Sequence, residues 1–196
     1  MLRQTQKNKT LLKKRRKLAR NPGIDLWSLD ECHFQQHGSR IRMWVPPEDI
    51  DPIQLLAPTR KSIALFGAVN IRRGRLLTQF EKKFNAMTFQ SFLENLLKHG
   101  GSRGRLIVII LDNARYHHAT LLKPFLRKYR KRLRLEFLPP YSPELNPIER
   151  VWKLTRRLCT HNEYFPNLTA LQEAVSGWLS MWEKPNEVLR KLCCIN

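Results

Sequence analysis

Six apolar residues in unbroken succession, Leu106-Ile107-Val108-Ile109-Ile110-Leu111, stop abruptly at the polar pair Asp112-Asn113. The run is too short for a helix and has no polar face, so it reads as a central strand covered on both sides. Asp112 then stands at the carboxyl end of that strand, where open α/β sheets place their chemistry. Taken alone, an Asp-Asn pair after a strand is more simply the start of a turn. Two other segments shift that balance.

Downstream, Leu138-Pro139-Pro140-Tyr141-Ser142-Pro143-Glu144-Leu145-Asn146-Pro147-Ile148-Glu149 is a proline-rich loop that runs into a helix. Asn146 suits the N-cap and Pro147 the first helical position, which sets Glu149 in the first turn. Upstream, Leu26-Trp27-Ser28-Leu29-Asp30-Glu31 reads as a second strand ending in an acid. Asp30, Asp112 within Leu-Asp-Asn-Ala-Arg-Tyr-His, and Glu149 within Asn-Pro-Ile-Glu-Arg-Val-Trp together resemble the DDE catalytic triad of Tc/mariner-superfamily transposases, in the bacterial insertion-sequence branch. The resemblance spans roughly residues 25 to 160, and its most specific part runs from Pro-Tyr-Ser-Pro to Asn-Pro-Ile-Glu.

The resemblance implies a ribonuclease H-like fold and metal-dependent DNA cleavage followed by strand transfer. It also implies Asp30, Asp112 and Glu149 as catalytic metal ligands, with Asn113, His117 and Asn146 positioning the substrate. Full-length relatives normally carry a helix-turn-helix region ahead of the catalytic domain, for which this chain has no room. A separate chain would then supply it, and the catalytic chains would act as a homodimer on DNA.

The charge balance agrees with such a partner. Lys and Arg number 36 against 16 Asp and Glu, a net charge of +20, which points to a polyanion and first of all to double-stranded DNA. Candidate backbone contacts are Lys123, Arg127, Lys128, Arg130, Lys131, Arg132 and Arg134 in one dense run. Arg150, Lys153 and Arg157 form a second group on one face of the Glu149 helix. Such runs are more commonly plain solvated faces. Cys32, Cys159, Cys193 and Cys194 show no Cys-x-x-Cys spacing and follow no signal peptide, which fits reduced thiols in a cytoplasm. Cys32, His33 and His37 lack the partner pair of a structural zinc site. No apolar run approaches membrane-spanning length.

The expected fold class is α/β, a ribonuclease H-like mixed sheet with three antiparallel strands plus parallel strands, flanked by helices. Residues 1–22 are expected as a disordered basic arm, 23–184 as the catalytic domain and 185–196 as a tail. Within the domain, a short strand is expected at Arg40 to Val45 and a hairpin from Ser62 to Asn70 and Arg75 to Phe80. A helix capped by Thr88 buries Phe89, Phe92, Leu93, Leu96 and Leu97, and a second lies near Ala119 to Tyr129, with Pro124 in conflict with its first turn. Arg134 to Leu138 is the next strand. The Glu149 helix buries Ile148, Val151, Trp152, Thr155, Leu158 and Cys159, and a last helix buries Leu171, Ala174, Val175, Trp178, Leu179 and Trp182.

Phosphodiester cleavage needs an activated nucleophile and a stabilised leaving oxygen, which two Mg²⁺ (or Mn²⁺) ions roughly 3.5–4 Å apart provide together. Three acids suffice because Mg²⁺ keeps water and takes few carboxylates. Asp30 is the favoured bridging ligand, Asp112 the alternative, and Glu149 holds the outer ion. Glu31, pointing to the opposite face of its strand, reads as a solvated strand end. Glu149 alone reads equally well as a capping-box residue, and only its surrounding motif favours the ligand. Two rivals stay open: a ribonuclease H-like nuclease that cuts without joining, and a non-enzymatic DNA-binding remnant.

Overall fold

The computed structural model describes residues 13–42, 44, 46, 53, 55–102, 104–140 and 142–195. Five strands form one mixed sheet: β1 (Ile24–Gln35), β2 (Ser62–Asn70), β3 (Arg75–Glu81), β4 (Leu106–Leu111) and β5 (Leu133–Phe137), in the order β3-β2-β1-β4-β5. β1 runs antiparallel to β2 and parallel to β4, so the chain's first strand lies at the centre. The apolar run at Leu106–Leu111 is β4, buried over nearly its whole length as its composition requires. The parallel register pairs Ser28 with Ile110, and continuing it by two residues sets Asp30 level with Asp112.

Alternation along β1 divides the core into two layers. Trp27 and Leu29 face α2 (Ala86–His99) and α3 (Leu122–Lys128), in a cluster that includes Phe89, Phe92, Leu93 and Leu96 of α2. Cys32 and Phe34 face the opposite layer, built by α4 (Ile148–Thr155), α5 (Leu168–Ser180) and α6 (Glu187–Leu192). The buried stripe of α2 is the one its periodicity predicts. Full burial of each such side chain is worth about 1.5–3 kcal/mol.

Several expectations need correction. Residues 13–20 of the expected disordered arm form a helix, α1, whose Leu18 and Ala19 pack on the β1–β4 face; apolar contact outweighs the repulsion of its charges. Residues 1–12 lie outside the described residues. The expected tail is also part of the body: Leu189 of α6 and Cys193 are fully buried in the core. No strand forms at 40–42 or 44, and only Ser39 makes an isolated parallel bridge, to His161; Met43 and Val45 are outside the described set. Asn85, not Thr88, caps α2, and Thr88 is the reciprocal partner of that capping box. Pro124 causes no conflict, because α3 begins at Leu122 and the first turn of a helix needs no N–H partner. Leu158 is exposed rather than buried. α4 ends at Thr155 and continues as one π-helical turn, Arg156–Thr160, whose extra residue shifts the phase of the stripe. Among the described residues no helix is long and apolar enough to cross a membrane.

Candidate active site

The Asp30 side chain belongs to the α4 face of β1, where it accepts a hydrogen bond from Trp152 Nε1 at 3.2 Å. Its partner residue on β2 is Gly67, and the Trp152 ring occupies the space a side chain there would fill. A Cβ on Gly67 would lie 2.3 Å from the ring. The indole is thus wedged against the sheet with its N–H aimed at the acid.

Glu149 is placed by the start of α4, though not through the expected cap. Asn146 does not cap with its side chain: its Oδ1 accepts from Ser28 Oγ and its Nδ2 donates to Leu29 O at 3.1 Å, while Ser28 Oγ accepts from Ile148 N–H at 3.1 Å. A serine of β1 therefore satisfies an orphan donor of α4. Asn146, buried at 3% exposure, is a brace between strand and helix. Arg15 of α1 braces the same loop, donating to Leu145 O at 2.6 Å from a position only 3% exposed. Burial, opposed by the nearby Glu136 charge, lowers its pKa to about 10.

Asp112 follows β4 directly, with its side chain half exposed. Its Oδ1 accepts from Ala114 N–H at 3.1 Å and lies 3.1 Å from His117 Nδ1. The His117 bond first, partly opposed by burial, holds Asp112 below the usual carboxylate range. Burial alone would lower the His117 pKa, but hydrogen bonds to Asp112 and Glu31 outweigh it and raise the value to about 9. Asp30 shows the reverse of Asp112. Burial first, then the charges of Glu31, Glu149 and Asp112, push its pKa up to about 8. The charges of Asp112 at the end of β4 and Glu149 in the first turn of α4 thus both reach Asp30 on β1, and among the described residues no ion pair compensates it. The donor set is all oxygen, suited to a hard divalent ion.

The other expected residues are placed differently. Asn113 Nδ2 donates to Leu138 O and so ties down the proline-rich loop. Arg150 donates to Leu192 O and Cys194 O, which engages it with the chain's own C-terminal segment. Lys123, Arg127, Lys128, Arg130, Lys131, Arg132, Lys153 and Arg157 are all exposed. A cavity of about 400 Å³ is lined by Lys123, Arg130, Arg134 and His118 around Leu126, Leu133, Leu135 and Phe137. Glu31 is not a solvated end, because its carboxylate accepts from Tyr116 Oη and from His117 Nε2, the latter at 3.0 Å. Alternation assigned its face correctly; nothing in the sequence revealed that Tyr116 and His117 cover that face.

A family model for DDE superfamily endonucleases matches residues 25–172. The chain belongs to that family. Solved structures agree with this chain in fold. The Mos1 transposase paired-end complex with left transposon end superposes with a TM-score of 0.67 at 17% identity, covering 94% of this chain and 55% of that one. The catalytic domain of Mos1 mariner transposase gives a TM-score of 0.61 at 16% identity, covering 94% and 82%. The chain therefore spans about half the length of the Mos1 chains in the paired-end complex. A curated relative, the uncharacterised protein y4pE/y4sA of Sinorhizobium fredii, is 30% identical over 128 residues, 64% of this chain and 89% of that protein.

Proposed function

We propose that this DDE endonuclease is the catalytic domain of a bacterial insertion-sequence transposase, cutting element DNA and joining the freed 3′ hydroxyl to target DNA. The observation that carries this reading is the convergence of Asp112, past the end of β4, and Glu149, in the first turn of α4, on Asp30 of β1, whose pKa burial first and then the charges of Glu31, Glu149 and Asp112 raise to about 8. A buried acid beside other acids, with no ion pair of its own among the described residues, is the electrostatic state that a divalent cation relieves. Asp30, Asp112 and Glu149 would hold two Mg²⁺ or Mn²⁺ ions, which when bound supply Lewis-acid activation of the nucleophile and stabilisation of the leaving oxygen.

The chain's own residues do the rest. Trp152 orients Asp30, the Ser28–Asn146 brace fixes the start of the Glu149 helix, and Asn113 fixes the loop beside them. The exposed cations from Lys123 to Arg132, with Lys153 and Arg157, meet DNA phosphates without reading sequence. A homodimer on DNA and a separate helix-turn-helix chain belong to the same proposal, since base readout is commonly delivered by a helix in the major groove. The catalytic unit includes α1 and α6, because both pack into the core.

The test is incubation of the chain with supercoiled DNA and a pre-cut 3′-hydroxyl duplex in Mg²⁺ or Mn²⁺. Nicking and joined products are expected, and both should vanish in excess chelator. Nicking without joining would favour a simple nuclease, and metal-independent cleavage would overturn the reading.

A further inference from the structure

We propose that Glu31 is a positioning residue for Asp112, acting through the buried His117 ring. The inference rests on the reading of Asp112 as a metal ligand. Glu31 is adjacent to Asp30 in sequence but its side chain lies on the other face of β1, so its contact with Asp112 runs through His117. Its carboxylate, 14% exposed, faces His117 Nε2 at 3.0 Å, and the Nδ1 of the same ring lies 3.1 Å from Asp112 Oδ1. One imidazole thus joins a carboxylate of β1 to the carboxylate that follows β4.

The ring has no freedom to leave this arrangement. The His117 side chain is fully buried, Phe89 packs against it at 4.3 Å and Tyr116 meets it edge-on at 4.4 Å. The Tyr116 hydroxyl donates to Glu31 and fixes the far end of the relay. Asp112, by contrast, is 51% exposed and sits past the last residue of its strand. Its contacts from His117 and Ala114 both fall on Oδ1, and Oδ2 carries no hydrogen bond among the described residues. The relay therefore holds one oxygen and leaves the other to a ligand.

Glu31, Asp112 and His117 also have donor atoms within 4.8 Å of one another, a spacing that suits a metal ion. The ring orientation argues against that use. Both nitrogens face carboxylate oxygens at hydrogen-bond distance, so both donate, and neither offers a lone pair to a cation.

The test must separate positioning from charge, because Glu31 also contributes negative potential at Asp30. Glu31→Asp keeps the charge but shortens the arm by one carbon, so it cannot reach both Tyr116 and His117. Mn²⁺ binding to the full chain without DNA, followed by electron paramagnetic resonance, should weaken by about 10–100-fold in Glu31→Asp, the usual cost of losing a group that orients a ligand. Cleavage should fall in parallel while DNA affinity stays unchanged. His117→Gln should show the same loss, and the Glu31→Asp/His117→Gln double variant should lose no more than either single one. Tyr116→Phe, a milder change that leaves the fold intact, should weaken Mn²⁺ binding in the same direction but less. Wild-type Mn²⁺ affinity in Glu31→Asp, or additive losses in the double variant, overturns the proposal. If Asp112→Asn still binds Mn²⁺ and cleaves, the underlying metal-ligand reading fails; if only Glu31→Asp is unaffected, the relay alone fails.

Discussion

The two sides of β1 at its acidic end are finished differently. On the Glu31 side one oxygen of each carboxylate is held by two donors: Tyr116 and His117 on Glu31, His117 and Ala114 on Asp112. On the Asp30 side the indole N–H of Trp152 and the backbone N–H of Glu31 are set against burial and three neighbouring negative charges. One half of the site is thus held in place by protein donors, and the other half holds electrostatic strain that an added cation would remove. Pre-organisation and ligand demand are divided between adjacent residues of a single strand.

The largest test of this division is loss of the acids. Asp30→Asn, Asp112→Asn and Glu149→Gln should each reduce Mg²⁺-dependent DNA cleavage by about 10³-fold or more, matching several kcal/mol of lost transition-state stabilisation. If Glu149→Gln retains substantial turnover in a single-turnover cleavage assay, Glu149 is a helix-start residue only. Next in size is Gly67→Ala, which drives a methyl group into the Trp152 ring. A cost of about 1–3 kcal/mol in denaturant unfolding is expected from overpacking, with cleavage reduced as the indole shifts from Asp30. A stable, active Gly67→Ala chain would show that the wedge is not needed.

The strain on the Asp30 side also has a pH signature. Between pH 3.8 and about 8 the folded chain keeps a proton on Asp30 that the unfolded chain has lost, so stability falls as pH rises through that window. Asp30→Asn in chelator should remove this fall and raise the Tm at pH 8, by roughly 2–4 °C for each kcal/mol relieved in a chain of this size. His117 works over a different range. Its raised pKa adds stability that is full below pH 6.5 and lost as pH climbs through about 9. Thermal melts of Asp30→Asn and His117→Gln across pH 4–10 should therefore flatten different parts of the curve, and identical profiles would erase the contrast. The smallest effect expected is from Trp152→Phe. It keeps most of the ring volume but drops the N–H to Asp30, at about 1 kcal/mol, and should raise the Asp30 pKa further.

Much of this was legible because it is local. The apolar stripe of α2 and the unbroken run of β4 announce themselves within a few residues, and the motif around Glu149 brings the third acid with it. What was missed depends on distant partners. The side chain that caps α4 is Ser28, 120 residues before Ile148, and no windowed pattern can propose it. Leu158 was misplaced because a π turn changes the period in mid-helix. The basic helix at residues 13–20 looked like an arm because its charge is visible in the sequence, whereas the socket that takes Arg15 at Leu145 O is not.

The C-terminal segment behind α4 has a consequence in time. Cys193 Sγ donates to Pro147 O, and Arg150 grips the carbonyls of Leu192 and Cys194, so the helix carrying Glu149 leans on residues more than forty positions downstream. Translation proceeds at about 5–20 residues per second, which separates the emergence of the last acid from that of its support by seconds. A chain made only as far as Glu149 already possesses all three acids yet lacks the buttress that sets the third. The last of the three acids is thus the one whose placement waits longest on the rest of the fold.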